Sequence, residues 1–300
     1  MTRLRANLLL MLAAIIWGSS FVVQQVGTGN LGTISFTGAR FLVGACMVFP
    51  FALKQFRRVH LRERRFQQKD WLALALTGTV LLTAAVLQQH GILRTTVTNS
   101  GFLTALYVPM VPFLGFLFLR RKVHFVVWPA SICCFIGTYI MSGAHEVELV
   151  DGDFWVISST IFWATHVMLV GALASRTRAP LVVAATQFAV CGTLGLVLGA
   201  VIESPVMADY VGAVWGICYI GIFSVGMAFT LQVVGQRYTP AADAAIILSS
   251  ETVFAAIGGM VFLGEHLSLL QFMGGALIFV SIIAVEVVPQ FATGKARALD

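Results

Sequence analysis

Glu251 stands near the middle of an apolar stretch running from 241 to 263. A carboxylate in such surroundings is costly unless it is paired, protonated or wetted. It could hold a proton or a cation, or meet an ammonium group; the alternative is a neutral acid hydrogen-bonded to a neighbouring helix. Arg40 lies seven residues into another apolar stretch, 33–53, about 10 Å along a helix. Its guanidinium offers a planar fork for two carboxylate oxygens, or it could reach outward, or tie helices together through carbonyl groups. Trp17 and Trp163 sit deep in two further stretches and could stack on an aromatic or cationic ligand, or pack a core. His166 follows Trp163 by three residues and so shares its helix face. It is a proton relay or a hydrogen-bonded filler. Ser20 and Gln24 share a face with Trp17 to within one turn. Gln24, Gln88, Gln89, His90, Asn99 and Ser100 gather near one end of three stretches, as a polar vestibule or as ordinary interfacial residues. Tyr107 and Ser249 are weaker mid-stretch candidates.

The elements that must position these residues follow from composition. Of 300 residues, 58% are apolar and 11% charged, with a mean hydropathy of +0.90. A soluble domain carries about 25% charge, so soluble enzymes, nucleic-acid binders and disordered chains are disfavoured. The chain reads as an all-α integral membrane protein. A membrane-crossing helix needs about 20 mostly apolar residues, and ten stretches qualify, approximately 7–26, 33–53, 71–90, 97–119, 124–143, 154–173, 180–202, 211–235, 241–263 and 267–288. Arg3 and Arg5 before the first suggest a signal peptide, but that stretch continues to Val26 without a small-residue cleavage site, so an uncleaved helix is expected.

The net charge of +6 does not point to nucleic acid, because the basic residues fall between the apolar stretches. With the N-terminus in the cytoplasm, 17 of the 19 Lys and Arg face that side, seven of them in 54–69, and Arg94 alone faces the other. That asymmetry is the positive-inside pattern. Both termini are therefore expected in the cytoplasm of a bacterial-type inner membrane, with membrane lipid around the helices. The 54–69 run is read as a topogenic loop. Cys46, Cys133, Cys134, Cys191 and Cys218 all lie inside apolar stretches and read as small hydrophobes.

The two halves echo one another. Trp17-Gly18-Ser19-Ser20-Phe21 is matched by Trp163-Ala164-Thr165-His166-Val167, and Leu93-Arg94-Thr95-Thr96 by Gln236-Arg237-Tyr238-Thr239. Each half holds five spans, an odd number, so two copies must enter the bilayer in opposite directions. The expected units are 1–147 and 148–300. Gly195-x-x-x-Gly199 and Gly212-x-x-x-Gly216 are read as sites of close helix packing within one chain. A monomer suffices.

Ten helices, the first-helix Trp17-Gly18-Ser19, and the ninth-helix Ser249-Ser250-Glu251-Thr252-Val253-Phe254-Ala255-Ala256 followed by Phe262-Leu263-Gly264-Glu265 resemble the EamA family of the drug/metabolite transporter superfamily. In overall texture the chain looks most like the bacterial aromatic amino acid exporters. The resemblance implies a secondary transporter working by alternating access, with small organic cargo moved outward. Two departures stand out. The family's Glu-Pro pair is Glu251-Thr252 here, and the matching place in the fourth helix, Val108-Pro109, keeps the proline without the acid.

With the substrate-binding candidates Trp17, Ser20, Gln24, Arg40, Asn99, Tyr107, Trp163, His166, Ser249 and Glu251, the expected cargo is an aromatic or hydrophobic amino acid. Efflux of cationic compounds or carriage of another metabolite is the alternative. An intramembrane lipid-modifying enzyme is a remoter one, since no motif assembles a metal or paired-acid centre. No phosphate-binding Gly-x-x-x-x-Gly-Lys loop is present. No cofactor, no metal and no catalytic residue is expected.

Overall fold

The computed structural model describes every residue except 64, 96, 120–122, 142–149, 255, 258–267 and 298–300; the side chains of 62, 97–99, 118–119 and 290–297 also fall outside the description. Asn99 is among those side chains, and the ninth expected span is described only in its first part.

Among the described residues the chain is helical throughout: α1 (Arg3–Val26), α2 (Thr33–Arg62), α3 (Gln68–Ile92), α4 (Val97–Thr104), α5 (Tyr107–Leu119), α6 (Val127–Met141), α7 (Asp151–Thr177) and α8 (Pro180–Ile202). Then come α9 (Met207–Gly212), α10 (Val214–Tyr219), a π-helical segment (Ile220–Phe229), α11 (Thr230–Gln236), α12 (Ala241–Leu248) and α13 (Leu269–Arg297). Among the described residues, eight helical stretches are long and apolar enough to cross a membrane, and Val127–Met141 is a shorter apolar one. Large apolar side chains such as Phe49, Phe51, Leu72, Val201 and Val280 point outward, a surface that only lipid covers at low cost.

Helix ends are set by acids. Glu203 accepts from Ile34 N (2.9 Å), Ser35 N (2.8 Å) and Ser35 Oγ (2.7 Å), closing the start of α2. Asp70 accepts from Gln67 N and Asp153 from Val150 N, each at 2.9 Å. Carboxylates at these positions satisfy unpaired N–H groups and complement the helix dipole. The basic run after residue 53 is not a loop at its start. No glycine or proline follows Pro50 there, so α2 stays helical to Arg62 after its apolar stretch ends.

Close packing is made by glycine. A Cβ at Gly195 would stand 2.7 Å from Gly38 Cα, and one at Gly199 would stand 2.3 Å from Ser35 Oγ, so α2 and α8 touch backbone to backbone. Gly216 likewise abuts Gly27, with its Cβ position 2.3 Å from the Gly27 carbonyl oxygen, but Gly212 has open space around it. Only the second residue of that motif packs. The principal neighbours are α2 with α8 and the π segment, α3 with α7 and α8, α6 with α13, α1 with the π segment and α11, and α5 with α7. At one end of the bundle Arg3 bonds Asp243 of α12 (2.7 Å) and Glu286 of α13 (3.1 Å), placing the start of α1 beside the far part of α13.

The fourth expected span is two helices. Pro109 has no N–H for the Ala105 carbonyl, which accepts from Val108 N instead (3.0 Å), and Leu106 N turns back to Leu103 O (3.2 Å). These tightened turns separate α4 from α5 at 105–106. The ninth span breaks at Ser249-Ser250, again after an eight-residue helix, and is helical once more over 251–254. No proline is needed here. The Ser249 and Ser250 hydroxyls donate back to Ile246 O and Ile247 O, both at 2.7 Å, competing with the backbone ladder.

Candidate functional site

Those two breaks face each other across the bundle: the Tyr107 hydroxyl, just past the first, donates to Ala245 O near the second at 3.4 Å. Glu251 is the first residue after the second break, as Tyr107 is after the first. Non-helical backbone at membrane depth is tolerated only where it is buried in protein or lines a cavity. A cavity of about 60 Å³ lies there.

Seven of the ten residues nominated from sequence line this cavity: Trp17, Ser20, Gln24, Arg40, Tyr107, Trp163 and Glu251. Ser249 does not, because its hydroxyl turns to Cys134 Sγ at 2.8 Å. Nor does His166, which is fully buried, 2.8 Å from Gln187 Oε1 through Nε2. It supports the wall from behind, with its ring 5.9 Å from Trp163 and 6.1 Å from Phe229. Asn99 lies outside the described side chains.

The aromatic wall is organised on Phe229, which sequence reading passed over. Trp17 meets it edge-on at 4.6 Å and Trp163 stacks on it at 5.9 Å. Phe229 closes the π segment, whose Ser224 carbonyl also accepts from Trp17 Nε1 at 3.3 Å. Single-turn π distortions inside helices recur at functional sites; this one runs ten residues and carries Ser224, Val225 and Phe229 to the cavity. Gln232, Thr104 and Gln88 add polar groups, with Gln88 Nε2 donating to Thr104 Oγ1 at 2.9 Å. A lone glutamine in the apolar run 220–235 was the available signal for Gln232.

Arg40 is 4% exposed and does not reach outward to water. One Nη donates to Gln24 Oε1, and the guanidinium lies over the rings of Phe36 and Phe41 at 5.5 and 5.6 Å. Its Nε has no partner among the described residues. Glu251, 7% exposed, has neither an ion pair nor a hydrogen bond among the described residues. An acid and a guanidinium thus line one aromatic cavity without a bond between them, and Arg40 is the only basic residue among the described residues of its lining.

The fold and cavity are those of a multi-pass membrane carrier. The sequence signature of the EamA-like transporter family matches residues 4–143 and again 150–286, and the chain belongs to that family. It is 28% identical over 289 residues to an uncharacterized transporter of Archaeoglobus fulgidus, covering 95% of this chain and 86% of the relative. It is 27% identical over 174 residues to the threonine/homoserine exporter RhtA of Escherichia coli, covering 54% of this chain and 55% of that protein. A solved crystal structure superposes with a TM-score of 0.73 at 16% identity, covering all of both chains; at that identity it shows the fold alone.

Proposed function

We propose that this transporter exports aromatic or hydrophobic amino acids across a bacterial-type inner membrane, by alternating access around the cavity of Trp17, Trp163, Arg40 and Glu251. The observation that carries this reading is an acid, Glu251, and a guanidinium, Arg40, lining one aromatic-walled cavity with no ion pair to either among the described residues. A zwitterion supplies an ammonium for Glu251 and a carboxylate for Arg40, and the wall of Phe229 and the two tryptophans accepts an apolar side chain. Desolvated charges are strongly unfavourable until paired, so cargo carrying both signs is favoured over cargo carrying one.

Two inverted units, 1–147 and 148–300, provide the two access states, with both termini in the cytoplasm and ten spans in one monomer. Three observations support this: the paired helix breaks, the two-fold match of the family signature, and reciprocal packing, in which α1 sits against the π segment and α11 as α7 sits against α3. Efflux of cationic compounds is the second reading, favoured by Glu251 among tryptophans. Counterflow in proteoliposomes tests both, using labelled phenylalanine, tryptophan, threonine and a quaternary ammonium, with and without a pH gradient. Exchange of the amino acids supports the proposal. Movement of the quaternary ammonium alone supports the second reading, and movement of none overturns both.

A further inference from the structure

The polar groups of the cavity divide into those satisfied within the protein and those left over. Trp17, Ser20, Gln24, Gln88, Thr104 and Tyr107 each make a hydrogen bond to another protein group. Beyond the charges of Arg40 and Glu251, three groups have no partner among the described residues: the Ser224 hydroxyl, the Trp163 indole N–H and the Gln232 amide. Trp163 Nε1 and Gln232 Oε1 are both buried, and Gln232 as a whole is only 1% exposed. Buried polar atoms are nearly always paired, so these two stand out as unsatisfied within the residues that line the cavity.

Trp163 on α7 and Gln232 on α11 belong to helices that pack together. They are linked through Phe229, on which Trp163 stacks and which precedes Gln232 by three residues, on the same helical face. One supplies a donor only; the other supplies an acceptor and donors. A hydroxyl is the smallest group that accepts from an N–H while donating to a carbonyl. A methyl in its place would leave both protein atoms buried and unpaired.

We infer that Gln232, with the Trp163 N–H, recognises a side-chain hydroxyl on the transported amino acid. This rests on the proposed amino acid transport and narrows its cargo to hydroxyl-bearing side chains. Ser224, next in line on the π segment, extends the same polar strip. Cargo lacking the hydroxyl still meets Arg40, Glu251 and the aromatic wall, and is discriminated against only by the unpaired amide and indole.

The test is competition in counterflow with near-isosteric pairs, tyrosine against phenylalanine and threonine against valine. Wild-type protein is expected to prefer the hydroxyl member of each pair at least about tenfold, because sites built around a substrate hydroxyl reject its deoxy analogue strongly. Gln232→Leu is expected to bring both ratios close to one. Trp163→Phe, which keeps an aromatic ring while removing the N–H and the volume of the five-membered ring, provides a second reading of the ratio should Gln232→Leu fail to fold. Equal use of both pair members by the wild type overturns the inference while leaving amino acid transport standing. So does a preference that survives in both variants, since neither group would then be reading the hydroxyl. Absence of any amino acid movement in the wild type removes the transport reading itself, and the inference with it.

Discussion

Arg40 and Glu251 face one cavity from α2 and from the break in the ninth span, and no oppositely charged side chain among the described residues neutralises either. Each is separately expensive in a low-dielectric setting. Together they make a site that waits for a dipolar ligand.

Replacing Glu251 with Gln keeps the shape and removes the charge. A hydrogen bond to a charged group contributes about 1.5–3 kcal/mol, so amino acid counterflow is expected to fall about ten- to a hundredfold, with the yield of folded protein little changed. Wild-type rates from Glu251→Gln would mean the carboxylate does not meet cargo. With no basic partner among the described residues, Glu251 is also the acid in the cavity able to carry a proton. Downhill movement without coupling is nevertheless the expected behaviour of the wild type. Accumulation driven by an imposed pH gradient, and abolished by Glu251→Gln, would assign it a coupling role instead.

Arg40→Lys is expected to impair transport nearly as much as Arg40→Ala. An ammonium cannot present two parallel donors, and it loses the guanidinium's broad contact with the Phe36 and Phe41 rings. Counterflow rates for the two variants, measured at matched amounts of folded protein, check this. Full activity from the lysine variant would make Arg40 a simple point charge.

Trp163→Ala is expected to reduce cargo movement more than it lowers the yield of monodisperse protein in detergent. The indole borders empty space on one side and Phe229 on the other. Equal losses in both measurements would make it a packing residue.

Gly195→Ala is expected to destabilise the α2–α8 contact by about 1–3 kcal/mol, because the added carbon meets the Gly38 backbone at 2.7 Å and no flexible side chain can yield. Gly212→Ala, with nothing within 4 Å of the added carbon, is expected to be nearly neutral. Thermal midpoints in detergent distinguish them. Similar shifts for the two would contradict the packing described.

Single cysteines at Gln55 and at Asp151, in a background lacking the native cysteines, are expected to react with an impermeant thiol reagent from opposite sides of the membrane, Gln55 from the cytoplasm. Labelling of both from one side would overturn the assigned topology and the inverted arrangement with it.

What the sequence by itself determined is what depends on local composition. The apolar stretches require a bilayer, the Lys and Arg between them bias one side, and two isolated charges at depth mark a site, because each effect is a sum over neighbouring residues. Which side chains meet was decided by the tertiary structure. A helix that is apolar nearly all round gives no periodic signal of its inward face. Sequence could therefore nominate Ser249 and His166 without showing that one turns to Cys134 and the other to Gln187. It passed over Phe229 because nothing local distinguishes it among 23 phenylalanines; its importance comes from Trp17 and Trp163, 212 and 66 residues away, closing on it from two other helices. Even the break beside Glu251 could not be read from the missing proline, since two serine hydroxyls bonding back along their own helix open the same gap.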